Sequence, residues 1–336
     1  MKEAYLYEKQ EGTKVRCFLC SHRCLIAAGK RGICNVRENK DGILYTLVYE
    51  KLISANVDPI EKKPFFHFLP GSTAFSVATM GCNFHCLHCQ NYEISQMPRE
   101  TSEIPGKRVS ADEIVSLALQ NNCASISYTY TEPTIFFEYA YDTAVIARQK
   151  GIKNNFVTNG YMTAEALAMV TPYLDGANVD LKAFSEEFYK KICGARLQPV
   201  LDMIAAMHTA GIWVEVTTLL IPTLNDGVDS LRDTARFLVS VSPDIPWHIS
   251  AFYPTYQMLD KPRTAPEIIS RARKIGMEEG LHYVYSGNIP GDEGENTSCY
   301  HCHKLLIRRR GYRIAENNLK TGACPYCGTP ISGVWQ

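Results

Sequence analysis

From Ala74 onward, short apolar runs alternate with longer stretches whose apolar residues recur at helical spacing, the pattern of strands and helices taking turns in a parallel sheet. The runs Ala74 to Thr79, Ala124 to Tyr128, Asn155 to Thr158, Ala177 to Leu181, Val214 to Leu220, Trp247 to Phe252 and Tyr283 to Tyr285 predict strands. Ser110-Ala111-Asp112-Glu113 reads as a capping box, in which the serine oxygen and the glutamate carboxylate each take an amide the helix leaves unpaired. Thr163-Ala164-Glu165 marks a second helix start. Six or seven such units imply an α/β fold: a parallel βα barrel, complete or partial, with its chemistry at the carboxyl ends of the strands. An open doubly wound sheet is the alternative, weakened because no glycine-rich phosphate loop follows the first strand.

The pattern stops at both ends of this region. An N-terminal segment, residues 1–72, closes on the turn signal Pro70-Gly71, the core covers 73–290, and after Pro290-Gly291 a small module occupies 291–336. Lys+Arg and Asp+Glu are equal at 35 each, so no overall field draws a polyanion or a membrane surface. The dense basic patch Arg308-Arg309-Arg310 with Arg313 is read as a solvated face, and a nucleic-acid partner is not expected. The start, Met1-Lys2-Glu3-Ala4-Tyr5, lacks a signal-peptide core, and no apolar stretch approaches the roughly 18 residues of a membrane span. A cytoplasmic protein without a membrane partner is the expectation.

Thirteen cysteines then need an explanation. A reducing cytosol disfavours a disulfide framework, so clustered thiols point to metal ligation or catalysis. Cys123 and Cys193 stand alone and read as small core residues. The others cluster, and the central cluster follows the first strand in Gly81-Cys82-Asn83-Phe84-His85-Cys86-Leu87-His88-Cys89. Three thiolates on one loop can each take one iron of a cubane, leaving a fourth iron without a nearby cysteine. That open iron can bind an amino and a carboxylate group, the donors at the methionine end of S-adenosylmethionine, whose sulfonium an electron from the cluster can cleave. Zinc closed by His85 or His88 is the alternative.

Cys-x3-Cys-x2-Cys after a first strand resembles the signature of radical S-adenosylmethionine enzymes, and further matches extend over most of the chain. It implies a 4Fe-4S cluster on Cys82, Cys86 and Cys89, with S-adenosylmethionine as cofactor. Tyr128-Thr129-Tyr130-Thr131-Glu132-Pro133-Thr134 looks like the segment that meets the cofactor's amino group in the branch containing pyruvate formate-lyase activating enzymes, which gives Glu132 that role. Val157-Thr158-Asn159-Gly160-Tyr161 and Val179-Asp180-Leu181-Lys182 resemble the next strand ends of that branch, making Asn159, Asp180 and Lys182 contacts for ribose or carboxylate. His88 is taken as a further cofactor contact. Asn56 to Pro64, Phe66 to Ser72 and Cys89 to Gln96 resemble the AmmeMemoRadiSam system radical enzyme, which implies Memo-like and AMMECR1-like partners, with a flavodoxin or ferredoxin as reductant. Pro98 to Ser110 carries no cysteine, unlike glycyl-radical activases with a ferredoxin-like insert. The function implied is reductive cleavage of S-adenosylmethionine and hydrogen abstraction from an unidentified substrate. A glycyl-radical activase and a non-catalytic iron-sulfur or zinc scaffold are the rivals.

The flanking cysteines add two sites. Cys299-x2-Cys302 and Cys324-x2-Cys327 have the spacing of a zinc ribbon, with a rubredoxin-like iron site as the alternative, and are expected to staple the C-terminus. Cys17-x2-Cys20-x3-Cys24 and Cys34, the last returned by a loop bearing Gly29 and Gly32, predict a second four-thiolate site. Zinc is preferred there over an auxiliary iron-sulfur cluster, and His22 can replace one thiol. His248 and Tyr253 fall near a strand end facing the predicted mouth, His248 being read as a hydrogen-bonded structural residue.

Overall fold

The computed structural model describes residues 1–319 and 322–336. Its centre is an eight-stranded sheet: β1 (Ser54–Pro59), β2 (Thr73–Ala78), β3 (Ser125–Tyr128), β4 (Lys153–Thr158), β5 (Gly176–Asp180), β6 (Trp213–Leu220), β7 (Trp247–Ala251) and β8 (Val284–Gly287). The strands follow one another in chain order, with β8 at one edge and β1 at the other. β2 to β8 run parallel and β1 pairs antiparallel to β2. Each predicted strand is present, its ends within two residues of the expected positions. The sheet is open, so no closed barrel forms, and its parallel strands follow chain order without the reversal of a doubly wound sheet. The periodicity did not reveal β1: its Ala55, Asn56 and Val57 are exposed in succession, so this stretch of edge strand is solvated on both faces and gives no apolar run.

Crossover helices α1 (Ala111–Gln120), α2 (Phe137–Gln149), α3 (Ala164–Val170), α4 (Gln198–Thr209), α5 (Val228–Val241) and α6 (Pro266–Glu278) link the parallel strands. The capping box opens α1: Ser110 Oγ accepts from the Glu113 amide at 3.2 Å, and the Ser110 amide donates to the Glu113 carboxylate at 2.6 Å. Thr163 likewise caps α3 through the Ala166 amide. Burial of Phe156, Val179, Val216 and Ile249 with Ile114, Ile204 and Leu238 from the helices makes one apolar core, the main favourable term holding the sheet and helices together.

Both flanks pack onto this core. The N-terminal segment forms two small antiparallel sheets, Tyr7–Lys9, Val15–Cys17 and Leu25–Ile26, and Lys2–Glu3, Ile43–Thr46 and Arg37–Lys40. Its Val15, Leu19, Val36 and Leu44 join the main cluster. The C-terminal module is an antiparallel sheet of Thr297–Ser298, Leu305–Arg310 and Arg313–Asn317, and its Leu306 and Ile307 pack with Phe66, Tyr283 and Tyr285.

One expectation about that module is corrected. Arg309 is not part of a solvated basic face: it is buried, stacks 4.1 Å over the Phe66 ring, and donates to the Phe66 carbonyl, the Glu295 carbonyl and Thr297 Oγ1. Side chains alternate across a strand, so Arg308 and Arg310 face solvent while Arg309 faces the core. No helix among the described residues is long and apolar enough to cross a membrane.

Candidate active site

The loop after β2 carries Cys82, Cys86 and Cys89 into the wall of a cleft of about 870 Å³ at the carboxyl ends of the parallel strands. Glu132, Asn159, Asp180, Lys182 and His88 line the same cleft, so all eight residues assigned to the cluster and cofactor share one space. The topology explains this: successive parallel strands release their connections at the same edge.

The cysteine loop is held by backbone bonds. The amides of His85 and Leu87 donate to the carbonyls of Cys193 and Ile192, both at 3.0 Å, and the Gly81 amide to Ile94 at 2.9 Å. Arg99 Nη2 reaches the carbonyls of Cys82 and Phe84. Tyr189–Cys193 winds in a wide π-type turn, a feature that recurs at functional sites. Gly194 ends that turn at φ +71°, and a Cβ there would lie 1.8 Å from His85 Cε1. Glycine is therefore required both for the left-handed backbone and for the approach of the ring.

Cys193 is a buried core residue, as its isolated position suggested, and it also lies beside Cys86. The neighbouring Cys193 thiol pulls Cys86 down, while burial and Cys86 push Cys193 well up. Only the tertiary fold brings positions 86 and 193 together.

The donors around the sulfurs suit anionic thiolates. The Phe84 amide donates to Cys82 Sγ at 3.4 Å, Asn159 Nδ2 lies 3.9 Å from the same sulfur, and Ser95 Oγ stands 3.1 Å from Cys89 Sγ. Such contacts to sulfur are how a protein tunes an iron-sulfur cluster. Without one, burial pushes Cys82 and Cys89 up, as does the nearby charge of Glu132 on Cys82 and of Cys86 on both. A tetrahedral zinc with bonds of about 2.3 Å requires its sulfurs about 3.8 Å apart. Among the described residues, only Cys299, Cys302, Cys324 and Cys327 bring three or more possible ligand atoms within 4.8 Å of one another. The central thiols, with His85 or His88, form no such set, so the close spacing of a tetrahedral zinc site is absent there.

The other residues differ in how they are held. Glu132 ties two strand ends together: Oε1 accepts from the Thr134 amide, Thr134 Oγ1 and Thr158 Oγ1 at 3.0, 2.6 and 2.7 Å, and Oε2 from the Asn159 amide at 2.8 Å. Burial nevertheless raises its carboxyl above the usual value. Asn159 donates to Asn83 Oδ1 at 2.8 Å, fastening the third parallel strand end to the cysteine loop. Burial alone would pull Lys182 down; Asp180, at 3.0 Å, with the thiols of Cys86 and Cys193, holds its ammonium well above its usual value. His88 is buried with Nδ1 unpartnered, and burial together with Lys182 lowers it to about 3. A neutral, underused imidazole nitrogen beside the cysteines is a polar atom that an occupant of the cleft can satisfy.

The far wall holds residues the sequence did not single out. Lys63 donates to Asp58 at 2.6 Å and stands 4.3 Å over the Tyr130 ring, while Tyr130 hydroxyl also bonds Asp58. Burial pushes Asp58 up, but its bonds from Lys62, Lys63 and Tyr130 outweigh this and hold it below the carboxylate range. Asp58 and Lys63 lay within the Asn56 to Pro64 stretch already marked by resemblance, without individual roles. His248 meets the structural expectation: Nε2 lies 2.6 Å from Glu215, itself bonded by the Phe66 and His67 amides and Trp213 Nε1. Tyr253 is partly exposed at the mouth and donates to the Asn288 carbonyl.

The two flanking cysteine sets lie apart from this cleft. In the C-terminal module, Cys299 and Cys327 sulfurs are 3.7 Å apart and Cys302 and Cys324 3.6 Å, the spacing of a tetrahedral thiolate site. Gly311 and Tyr312, at the tip of the same module's hairpin, line the cleft. The module is thus a wall of the site.

Residues 76–238 match the model of the radical SAM superfamily. The chain belongs to this superfamily. An uncharacterized protein of Methanocaldococcus jannaschii is 46% identical over 334 residues, covering 98% of this chain and 99% of that protein. The pyruvate formate-lyase-activating enzyme of Clostridium pasteurianum is 22% identical over 167 residues, covering 48% of this chain and 67% of the enzyme. In fold, the radical SAM methyltransferase of Sphaerobacter thermophilus superposes with a TM-score of 0.51 at 16% identity, covering 71% of each chain. Superfamily membership implies an enzyme with a 4Fe-4S cluster and S-adenosylmethionine, and relates it to the activating enzymes of glycyl-radical systems.

Proposed function

We propose that this radical SAM enzyme reductively cleaves S-adenosylmethionine and uses the resulting 5′-deoxyadenosyl radical to abstract hydrogen from a substrate still to be identified. The observation that carries the reading is three thiols on one strand-end loop, outside zinc spacing and sharing a cleft with Glu132 and Lys182. Cys82, Cys86 and Cys89 hold the cluster, which when bound supplies the electron that splits the sulfonium. Glu132 Oε2 receives one protein donor and can accept another from the methionine ammonium. Asn159, Asp180 and Lys182, on the next two strand ends, orient the cofactor's remaining polar groups, with His88 beside them. The C-terminal cysteines hold zinc. Within the superfamily we assign the chain to the AmmeMemoRadiSam type, with Memo-like and AMMECR1-like partners and a flavodoxin or ferredoxin as electron donor.

The test is electron paramagnetic resonance of the reduced protein with and without S-adenosylmethionine, followed by quantification of 5′-deoxyadenosine. The spectrum is expected to shift with the cofactor, 5′-deoxyadenosine to accumulate, and Cys86→Ala to lose both. A fully assembled cluster that ignores the cofactor and yields no 5′-deoxyadenosine overturns the reading in favour of a scaffold. The likeness to a pyruvate formate-lyase-activating enzyme supports activase as the second reading; a stable glycyl radical on a mixed target protein would establish it.

A further inference from the structure

We propose that Cys17, Cys20, Cys24 and Cys34 hold a second iron-sulfur cluster of cubane type rather than zinc. All four sulfur-bearing side chains line one cavity, closed on its other sides by apolar residues including Leu19, Ile26 and Ile135. Four thiolates are the full complement for a cubane, so this site, unlike the central one, leaves no iron open.

Spacing separates the metals. Around zinc the four sulfurs touch, as they do in the C-terminal module, where neighbouring sulfurs stand 3.6 and 3.7 Å apart. The N-terminal quartet supplies no three ligand atoms within 4.8 Å of one another, with or without His22. Its sulfurs instead surround a void of about 20 Å³, enough for a water-sized sphere.

A second, independent feature asks for an anion. Arg37 lines this cavity with its side chain 2% exposed. Its Nη2 is paired with Glu138 at 2.5 Å, but Nε and Nη1 are buried without a partner. Leaving guanidinium donors unmade is costly, and a four-thiolate cluster, which carries net negative charge, would supply acceptors and countercharge in the cavity that Arg37 lines. The site also shares a wall with the radical centre. His22 Nε2 bonds the Asn83 carbonyl at 2.9 Å, and Gly81, at φ +100°, has Val36 Cγ1 where a Cβ would lie, 2.6 Å away, with the Cys34 carbonyl at 3.3 Å.

The experiment isolates this site by removing the other. A Cys82→Ala/Cys86→Ala/Cys89→Ala chain, reconstituted anaerobically with iron and sulfide, is expected to keep about four irons, with charge-transfer absorption and a reduced-state resonance that ignores S-adenosylmethionine. Adding Cys20→Ser and Cys34→Ser should remove that iron while circular dichroism is unchanged. Should the triple variant not fold, the wild-type chain carries the test, falling from about eight irons to about four with Cys34→Ser alone. Loss of zinc instead of iron in the Cys20 and Cys34 variants overturns the proposal, as does a folded triple variant without iron. The result does not depend on S-adenosylmethionine cleavage, so it fails or succeeds separately from the proposed function.

Discussion

At the scale of single residues, Glu132 shows how one side chain serves the fold and the cleft together. Three donors converge on Oε1 and one on Oε2, so the carboxylate fastens Thr134 to Thr158 and Asn159 while facing the cleft. In Glu132→Gln the amide nitrogen would meet the Asn159 amide, donor against donor, or displace the three donors at Oε1. A lost charge-assisted bond of about 1.5–3 kcal/mol weakens S-adenosylmethionine binding by roughly tenfold or more. Iron content should stay constant, because the three thiol ligands remain. Titration of the reduced variant by electron paramagnetic resonance reads the affinity; wild-type affinity in this variant removes Glu132 from the cofactor contacts.

At the scale of elements, the connection between β1 and β2 is the seam that joins the C-terminal tail to the sheet. The Leu69 amide donates to the Val334 carbonyl and the Val334 amide to the His67 carbonyl, both at 2.7 Å. His67 Nδ1 lies 2.8 Å from the Ser332 carbonyl and Nε2 2.6 Å from Tyr285 hydroxyl. The ring is fully buried, and burial lowers it to about 4, although Glu215 and the Ser332 carbonyl oppose the shift. Between that value and the ordinary 6.5 of an unfolded histidine, the unfolded chain binds the proton that the folded chain refuses. The associated stability is whole above 6.5 and is lost as pH falls toward 4. Urea unfolding should therefore lose about 3 kcal/mol more from wild type than from His67→Gln between pH 7 and pH 4. Equal losses in the two chains would mean that the seam does not titrate.

At the scale of the whole molecule, the C-terminal module, the sheet and the cleft are mechanically one. Arg309 of the module is stacked on Phe66 and bonded to its carbonyl, and Tyr312 at the hairpin tip lines the cleft. Replacing Cys324 and Cys327 with serine should lower bound zinc by about one atom per chain. It should also expose the Leu305–Arg310 and Arg313–Asn317 hairpin to protease, because the antiparallel sheet has only a small apolar core of its own. Metal analysis and limited proteolysis of the anaerobically purified variant check this. Unchanged zinc would exclude the site.

The sequence by itself determined the parallel strands, the capping of α1 and α3, and the cysteine groupings, because each depends on residues close together in the chain. Apolar runs such as Trp213–Leu220 and short-range signals such as Ser110 with Glu113 need no distant partner to be read. Tertiary structure decided what rests on distance in space: the open edge of the sheet, β1 at that edge, Cys193 beside Cys86, and the burial of Arg309 within a basic run. It also separated two cysteine quartets that look equivalent by spacing along the chain. One gathers its sulfurs into tetrahedral contact; the other holds them around a void with an unpartnered guanidinium. Ligand spacing in sequence counts the donors, but the size and charge of what they can hold follow from how far apart the folded backbone keeps them.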